Sequence, residues 1–250
     1  MTTEPPPLRD QDFRHRSLRG SSFHDCDLSG VVVRGSLVGG MEVDSPWLVE
    51  EGEPFRVNGV DVVAFVDAEL DRRFPGRGLR RATDPDGLRE AWAALERSWA
   101  ATLDRAAIMP EGTVDASVAG EWSLAQTLRH LVMATDLWLG RAVLDLAEPF
   151  HPAGLAHDDG GEGSPAYDPS VFSTTAPTYD EVLAARADRQ RLVRDHLATV
   201  TAEDLTRARP NPHAPEHSET VLSCLHTILE EEWEHHRYAV RDLDHLAARP

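Results

Sequence analysis

The chain has 250 residues, enough for one large domain or two modest ones with a sizeable core, and its 41% hydrophobic and 27% charged content is that of a globular protein in water. A net charge of −18 argues against non-specific nucleic-acid binding, because a phosphate backbone would be repelled on approach. No apolar run approaches the roughly 18–20 residues of a membrane span, two cysteines (Cys26 and Cys224) cannot build a disulfide scaffold, and the opening MTTEPPPLRDQD lacks the basic start and apolar stretch of a signal peptide, so the expected setting is the cytoplasm.

Residues 1–10 carry a run of three prolines and no apolar periodicity, and are expected to be a disordered tail. From Phe13 a step of five gives Leu18, Phe23, Leu28, Val33, Val38 and Val43, an unbroken apolar register. Small or compact side chains (Ser21, Cys26, Val31, Ser36) stand two residues before four of these positions. Neither a helix nor a strand has a period of five, so residues 11–45 are expected to be a short solenoid with the apolar residue turned inward. Residues 46–80 form a connector. In it Asn58-Gly59, flanked by apolar residues, predicts a hairpin, and VVAFVDAELDRRF predicts a short helix stopped by Pro75-Gly76.

From Asp84 the period becomes helical. DPDGLREAWAALERSWAATLDRAAI opens on an Asp cap with proline in the first turn. A second helix is predicted from Ser123 to about Leu144, a third over TYDEVLAARADRQRLVRDHLATV and a fourth over SETVLSCLHTILEEEWEHHRYAVRDLDHLAA, with a long polar crossover from about Ala147 to Thr178. Four long helices with one extended connection predict a mainly α protein whose residues 81–250 are a four-helix bundle.

The chemistry-bearing residues sit on two of these helices. Glu231 and His235 are four apart, so they lie about 40° apart around a helix and about 6 Å apart along it, and reach one point off one face. Cys224, Leu225, Ile228, Tyr238, Ala239 and Leu243 share that stripe, so it is expected to face the interior. An ionised carboxylate there needs a cation. His130, among Thr127, Leu131, Ala134 and Leu137, presents an imidazole from the second helix. Two nitrogen ligands and one oxygen suit Zn²⁺, with Ni²⁺, Fe²⁺ and Mn²⁺ as alternatives. Tyr238, one turn past His235, and His157, in the crossover, are candidate site-lining groups. Glu230, Glu232 and Glu234 are expected on solvated faces. His236, turned by about 100°, is not expected to share the ion, and Cys224, roughly 10 Å from Glu231 by helix rise, is too far for it. The remaining histidines, His151, His213, His217 and His226 among them, are expected at the surface.

Two segments resemble known families. DLSGV at 27–31 and its neighbours resemble the pentapeptide-repeat family, which implies a right-handed quadrilateral β-helix of fewer than two coils. Trp122-Ser123 with His130, followed by Glu231-x-x-x-His235-His236, resembles the DinB/YfiT-like superfamily over about residues 81–248. Most of its members carry His where this chain has Glu231. The glutamate variant resembles the mycothiol-dependent maleylpyruvate isomerase branch. That resemblance implies zinc held by His130, Glu231 and His235, a thiol cosubstrate (mycothiol or bacillithiol), an electrophilic small-molecule partner and S-transfer or isomerisation, and pairing of bundles into a homodimer. All 25 basic residues are arginine, the mark of a GC-rich genome, which favours mycothiol. Two other classes compete. One is a metal-dependent hydrolase; the other is a non-catalytic stress-response or interaction protein braced by its metal.

Overall fold

The computed structural model describes residues 11–24, 26–50, 52–156, 168–173 and 175–249. The chain divides into two compact units, residues 1–44 and 45–250. The tail expected over residues 1–10 lies outside the described residues.

The described part of the first unit contains neither helix nor strand. Its backbone nevertheless keeps a regular beat. His15, Gly20, Gly30, Gly35 and Gly40 all have left-handed φ, and turns close from Ser21 to Leu18, Val31 to Leu28 and Met41 to Val38. The β-helical ladder expected here is not among its elements. The five-residue apolar register, expected to point inward, is 47–57% exposed, although off-register Val31, Val32, Leu37 and Met41 are more exposed still, at 60–104%.

The second unit opens with a hairpin, β1 (Arg56–Val57) and β2 (Val60–Asp61), turned by Asn58 and Gly59, both at positive φ as a type I′ turn requires. Helix α1 (Val63–Arg73) follows and stops before Pro75-Gly76. Gly76 takes φ +99°, and a Cβ there would lie 2.7 Å from the Ala94 side chain, so only glycine fits.

Four long segments build the bundle. Helix α2 (Pro85–Ala107) is capped by Asp84, whose side chain accepts from the Asp86 and Gly87 amides, with Pro85 supplying no orphan N–H at the first position. Helix α3 (Leu124–Thr135) starts at a reciprocal Ser123/Gln126 capping box. The predicted helix then continues in a different form, since Asp136–Val143 is π-helical rather than α-helical. Helix α4 (Tyr179–Thr199) is capped by Thr178 and Glu181; the short α5 (Ala202–Leu205) follows. Strand β3 (Ala208–Pro210) pairs antiparallel with β4 (Ser218–Thr220), which leads into α6 (Val221–Ala247). The β3–β4 pair was not expected from the sequence.

Helix α6 packs against α2 and α3, and α4 packs against α3 and α2. Trp92, Trp99, Trp233 and the leucines of all four segments fill the space between them. No helix among the described residues is long and apolar enough to cross a membrane.

Candidate metal centre

Which way α6 is rotated decides what it offers the interior. Its buried face runs through Leu225, Ile228, Glu232, His236, Ala239 and Leu243. The stripe expected at the centre is therefore displaced by one residue. Glu231 and His235 stand at its flank, with side chains 35% and 17% exposed.

The displacement has partners that account for it. Glu232, expected in solvent, is instead 1% exposed, and both its oxygens face Nη2 of Arg186 from α4 at 2.5 Å. Burial raises the Glu232 carboxyl and Arg186 opposes that rise. His236 is buried against α2, where its Nε2 meets the Thr102 hydroxyl at 2.9 Å and the Ser98 carbonyl at 3.2 Å. Burial lowers its pKa. This rotation of α6 gives the buried Glu232 carboxylate a cationic partner and the buried His236 Nε2 two oxygen neighbours, and another rotation would take both away. Glu234 is not free in solvent either: it pairs with Arg237 at 2.8 Å and lies 3.6 Å from buried Arg77. Glu230 is only partly exposed, and burial raises its carboxyl.

On the flank, three donors from two helices converge. His130 Nε2 lies 3.2 Å and His235 Nε2 3.3 Å from the same oxygen, Oε2 of Glu231. One ligand atom from each residue falls within 4.8 Å of the other two. His130 is buried, at 5% exposure. Burial would raise the Glu231 carboxyl, but hydrogen bonds from the two imidazoles and their charges hold it well below the usual carboxylate range. Among the described residues no other group of three His, Cys, Asp or Glu side chains is so placed.

The donor set fits a divalent ion. In a tetrahedral zinc site with bonds near 2.1 Å, neighbouring ligand atoms lie about 3.4 Å apart, close to the spacing of each imidazole nitrogen from Glu231 Oε2 here. Two imidazole nitrogens aimed at one carboxylate oxygen can exchange their protons for a single cation that satisfies all three atoms at once.

Aromatic rings wall the cluster. Trp122, in the turn before α3, lies 4.9 Å from the His130 ring and stacks on His235 at 6.1 Å with a 19° tilt. Tyr238 sets its ring edge-on to His235 at 6.0 Å, which places this expected lining residue beside the cluster. The other expected lining residue, His157, lies outside the described residues. The sequence marks Trp122 only as part of the Trp-Ser/His motif, and its packing on both imidazoles was missed because it depends on α6, far along the chain.

Other histidines have local partners. His226 is half-buried and donates to the Ala82 carbonyl at 2.8 Å, and the half-buried His151 accepts from the Ala153 amide at 3.0 Å, so neither is the plain surface residue expected. His213 rests near the Trp138 ring, and His217 is exposed. Cys224 is fully buried and its thiol is pushed up to about 12, chiefly by burial, which makes it inert. A groove of about 550 Å³ between the 151–153 turn and α4 is lined by none of the three donors.

The sequence profile of the DinB superfamily matches residues 94–239, more than half the chain and the span that holds all three donors. The chain belongs to the DinB superfamily. No curated protein and no solved structure matches it. For a DinB-superfamily bundle, a His/Glu cluster at a helix flank is a site able to hold a divalent metal.

Proposed function

We propose that this DinB-superfamily protein is a zinc-dependent enzyme that uses a small thiol, mycothiol by preference, in S-transfer to an electrophile or in thiol-assisted isomerisation. One observation carries the proposal: three protein donors converge at a partly exposed edge, with no fourth among the described residues, which is the make-up of a catalytic rather than a structural zinc site. The glutamate at 231, where most relatives with this motif carry histidine, is what aligns the chain with the mycothiol-dependent branch.

His130, Glu231 and His235 would hold the ion. When bound, it supplies Lewis acidity that lowers the pKa of a thiol to the point of ionisation at neutral pH. The chain's own residues do the rest. The buried His130 anchors the inner side of the site. Trp122 and Tyr238 close off two sides from water and hold the imidazole planes. The 35% exposed side of Glu231 leaves the approach open to a thiol and an electrophilic carbon. The thiol proton would pass to solvent, and the thiolate sulfur would add to the carbon of an activated double bond, whose π electrons shift to the neighbouring atom and take up a proton from solvent. In the same reading residues 11–45 are a pentapeptide-repeat stub, and two bundles pair through helix faces as a homodimer.

The test is thiol dependence. Zinc-loaded protein should consume a generic electrophile faster with mycothiol than without it, and His130→Ala should abolish the gain. Equal rates for the two proteins would overturn the proposal. Turnover of an amide or ester with no added thiol would instead identify a hydrolase.

A further inference from the structure

The two rings that pack on the ligand imidazoles come from different places in the chain, Trp122 from the turn before α3 and Tyr238 from α6. A single side chain, Arg241, touches the Tyr238 ring, which Arg237 also covers at 4.5 Å, and the residue that precedes Trp122. The guanidinium of Arg241, one turn beyond Tyr238 on α6, lies over the Tyr238 ring with its carbon 5.0 Å from the centroid. The same group pairs with Glu121, the residue immediately before Trp122, and its Nε donates to Asp242 at 2.8 Å. The Arg241–Glu121 contact spans 120 residues and ties the Trp122 turn down onto α6.

We propose that Arg241 is a positioning residue of the metal centre: by clasping Glu121 and stacking on Tyr238, it holds both aromatic walls against His130 and His235 and fixes the planes of the two imidazoles. The proposal rests on the reading that His130, Glu231 and His235 hold a divalent metal. A ring nitrogen binds an ion only along its in-plane lone pair, so a ring free to tilt spends less time aimed at the ion. Groups that fix ring orientation from outside are therefore felt at the metal. Arginine is suited to the task because its planar, delocalised cation can stack on a ring through its face while its edge pairs with carboxylates. With side chains 33% and 43% exposed, the Arg241–Glu121 pair acts in a solvent-screened setting, so its effect is modest. Its loss weakens metal binding about five-fold.

The experiment uses the full chain with Arg241→Ala, Glu121→Gln and the double substitution. Zinc affinity is read by competition with a chelator, and coordination geometry by the visible absorption of the cobalt(II)-substituted protein. Each single change should weaken zinc binding about five-fold and alter the cobalt bands, with helical content unchanged. The double change should do no more than Arg241→Ala alone, because both act through one contact. Unaltered affinity and cobalt spectra in both single variants, or fully additive losses in the double, would overturn the positioning role. Should Arg241→Ala fail to fold, Glu121→Gln, at an exposed position, decides the matter alone. An unsubstituted protein that binds no zinc or cobalt would sink the metal reading itself, an outcome distinct from a wild type that binds and variants that do not differ from it.

Discussion

The ion pair between Arg186 and Glu232 makes the sharpest prediction about why the bundle holds its shape. The two side chains are 2% and 1% exposed, and one guanidinium nitrogen serves both carboxylate oxygens. The other two nitrogens of Arg186, Nε and Nη1, have no hydrogen-bond partner among the described residues, and the guanidinium carbon lies 6.0 Å from the Trp99 ring. Such a pair is not a source of net stability, since bringing both charges out of water offsets most of their attraction. Breaking it is another matter. Arg186→Met would strand a carboxylate in an apolar interior and should destabilise the protein by about 3–5 kcal/mol, which is a fall in Tm of about 6–20 °C for a chain of this size. Replacing both, as Arg186→Met with Glu232→Leu, removes the stranded charge and should restore most of the loss. Urea unfolding at pH 7 of the wild type, the two single variants and the double variant closes the cycle. At lower pH the Arg186→Met penalty should shrink, because Glu232 can then take up a proton. A single variant within about 1 kcal/mol of wild type, or a double variant as unstable as the sum of the singles, would refute the claim that this pair is desolvated and mutually dependent.

Three further outcomes are expected. Glu231→Ala should lower bound zinc to well under one ion per chain by elemental analysis, whereas His236→Gln, which removes a group bonded to Thr102 and Ser98 instead, should leave the stoichiometry unchanged. Asp136 is fully buried and its carboxyl is raised to about 6, because burial outweighs the bonds from the His151 amide and Arg189. Its folded pKa exceeds the ordinary value of 3.8, so the stability it contributes when protonated is lost as pH climbs from about 4 through 6, by about 3 kcal/mol in all, and Asp136→Asn should flatten that part of the pH–stability curve measured by urea unfolding. Gly76→Ala would place a Cβ 2.7 Å from Ala94 at φ +99°, and should lower stability by about 1–3 kcal/mol in the same assay.

What could be read from the sequence divides along the range of the forces involved. The capping boxes Ser123/Gln126 and Thr178/Glu181 fix helix starts through contacts three residues long, so they stand in the sequence as they stand in the fold. The Asn58-Gly59 turn is local in the same way. The Glu231/His235 pair is legible too, because one helical turn brings the two together whatever surrounds them. The rotation of α6 is not. In the run Glu230-Glu231-Glu232-Trp233-Glu234-His235-His236 polar residues occupy every face, and a stripe drawn through the apolar residues on either side passes through Glu231 and His235, one residue off the buried face. The choice is made by Arg186, 46 residues upstream, and by Ser98 and Thr102 on α2. The π-helical stretch after Thr135 has an equally distant setting: Asp136, at its start, bonds to the His151 amide and Arg189. The β3–β4 pair lies in a proline-broken stretch with no alternation to reveal it.

That hidden rotation also decides how exposed the three donors are. Had Glu231 and His235 taken the centre of the buried face, as the apolar stripe implies, they would have been sealed among Trp99, Trp233 and the leucine layer, away from water. Because Glu232 and His236 take the centre, their neighbours are carried to the flank, where Glu231 keeps a 35% exposed side chain and still meets His130. A partly desolvated flank strengthens the pull of carboxylate and imidazole on a cation while leaving an approach from water. The buried Arg186–Glu232 pair thus acts on the site without touching it, by setting the angle at which α6 presents its neighbouring residues. It follows that the double variant Arg186→Met/Glu232→Leu, restored in stability, should still bind zinc less tightly than wild type if the charge pair, rather than simple packing, sets that angle. Equal zinc affinity in a chelator competition would show that packing alone is sufficient.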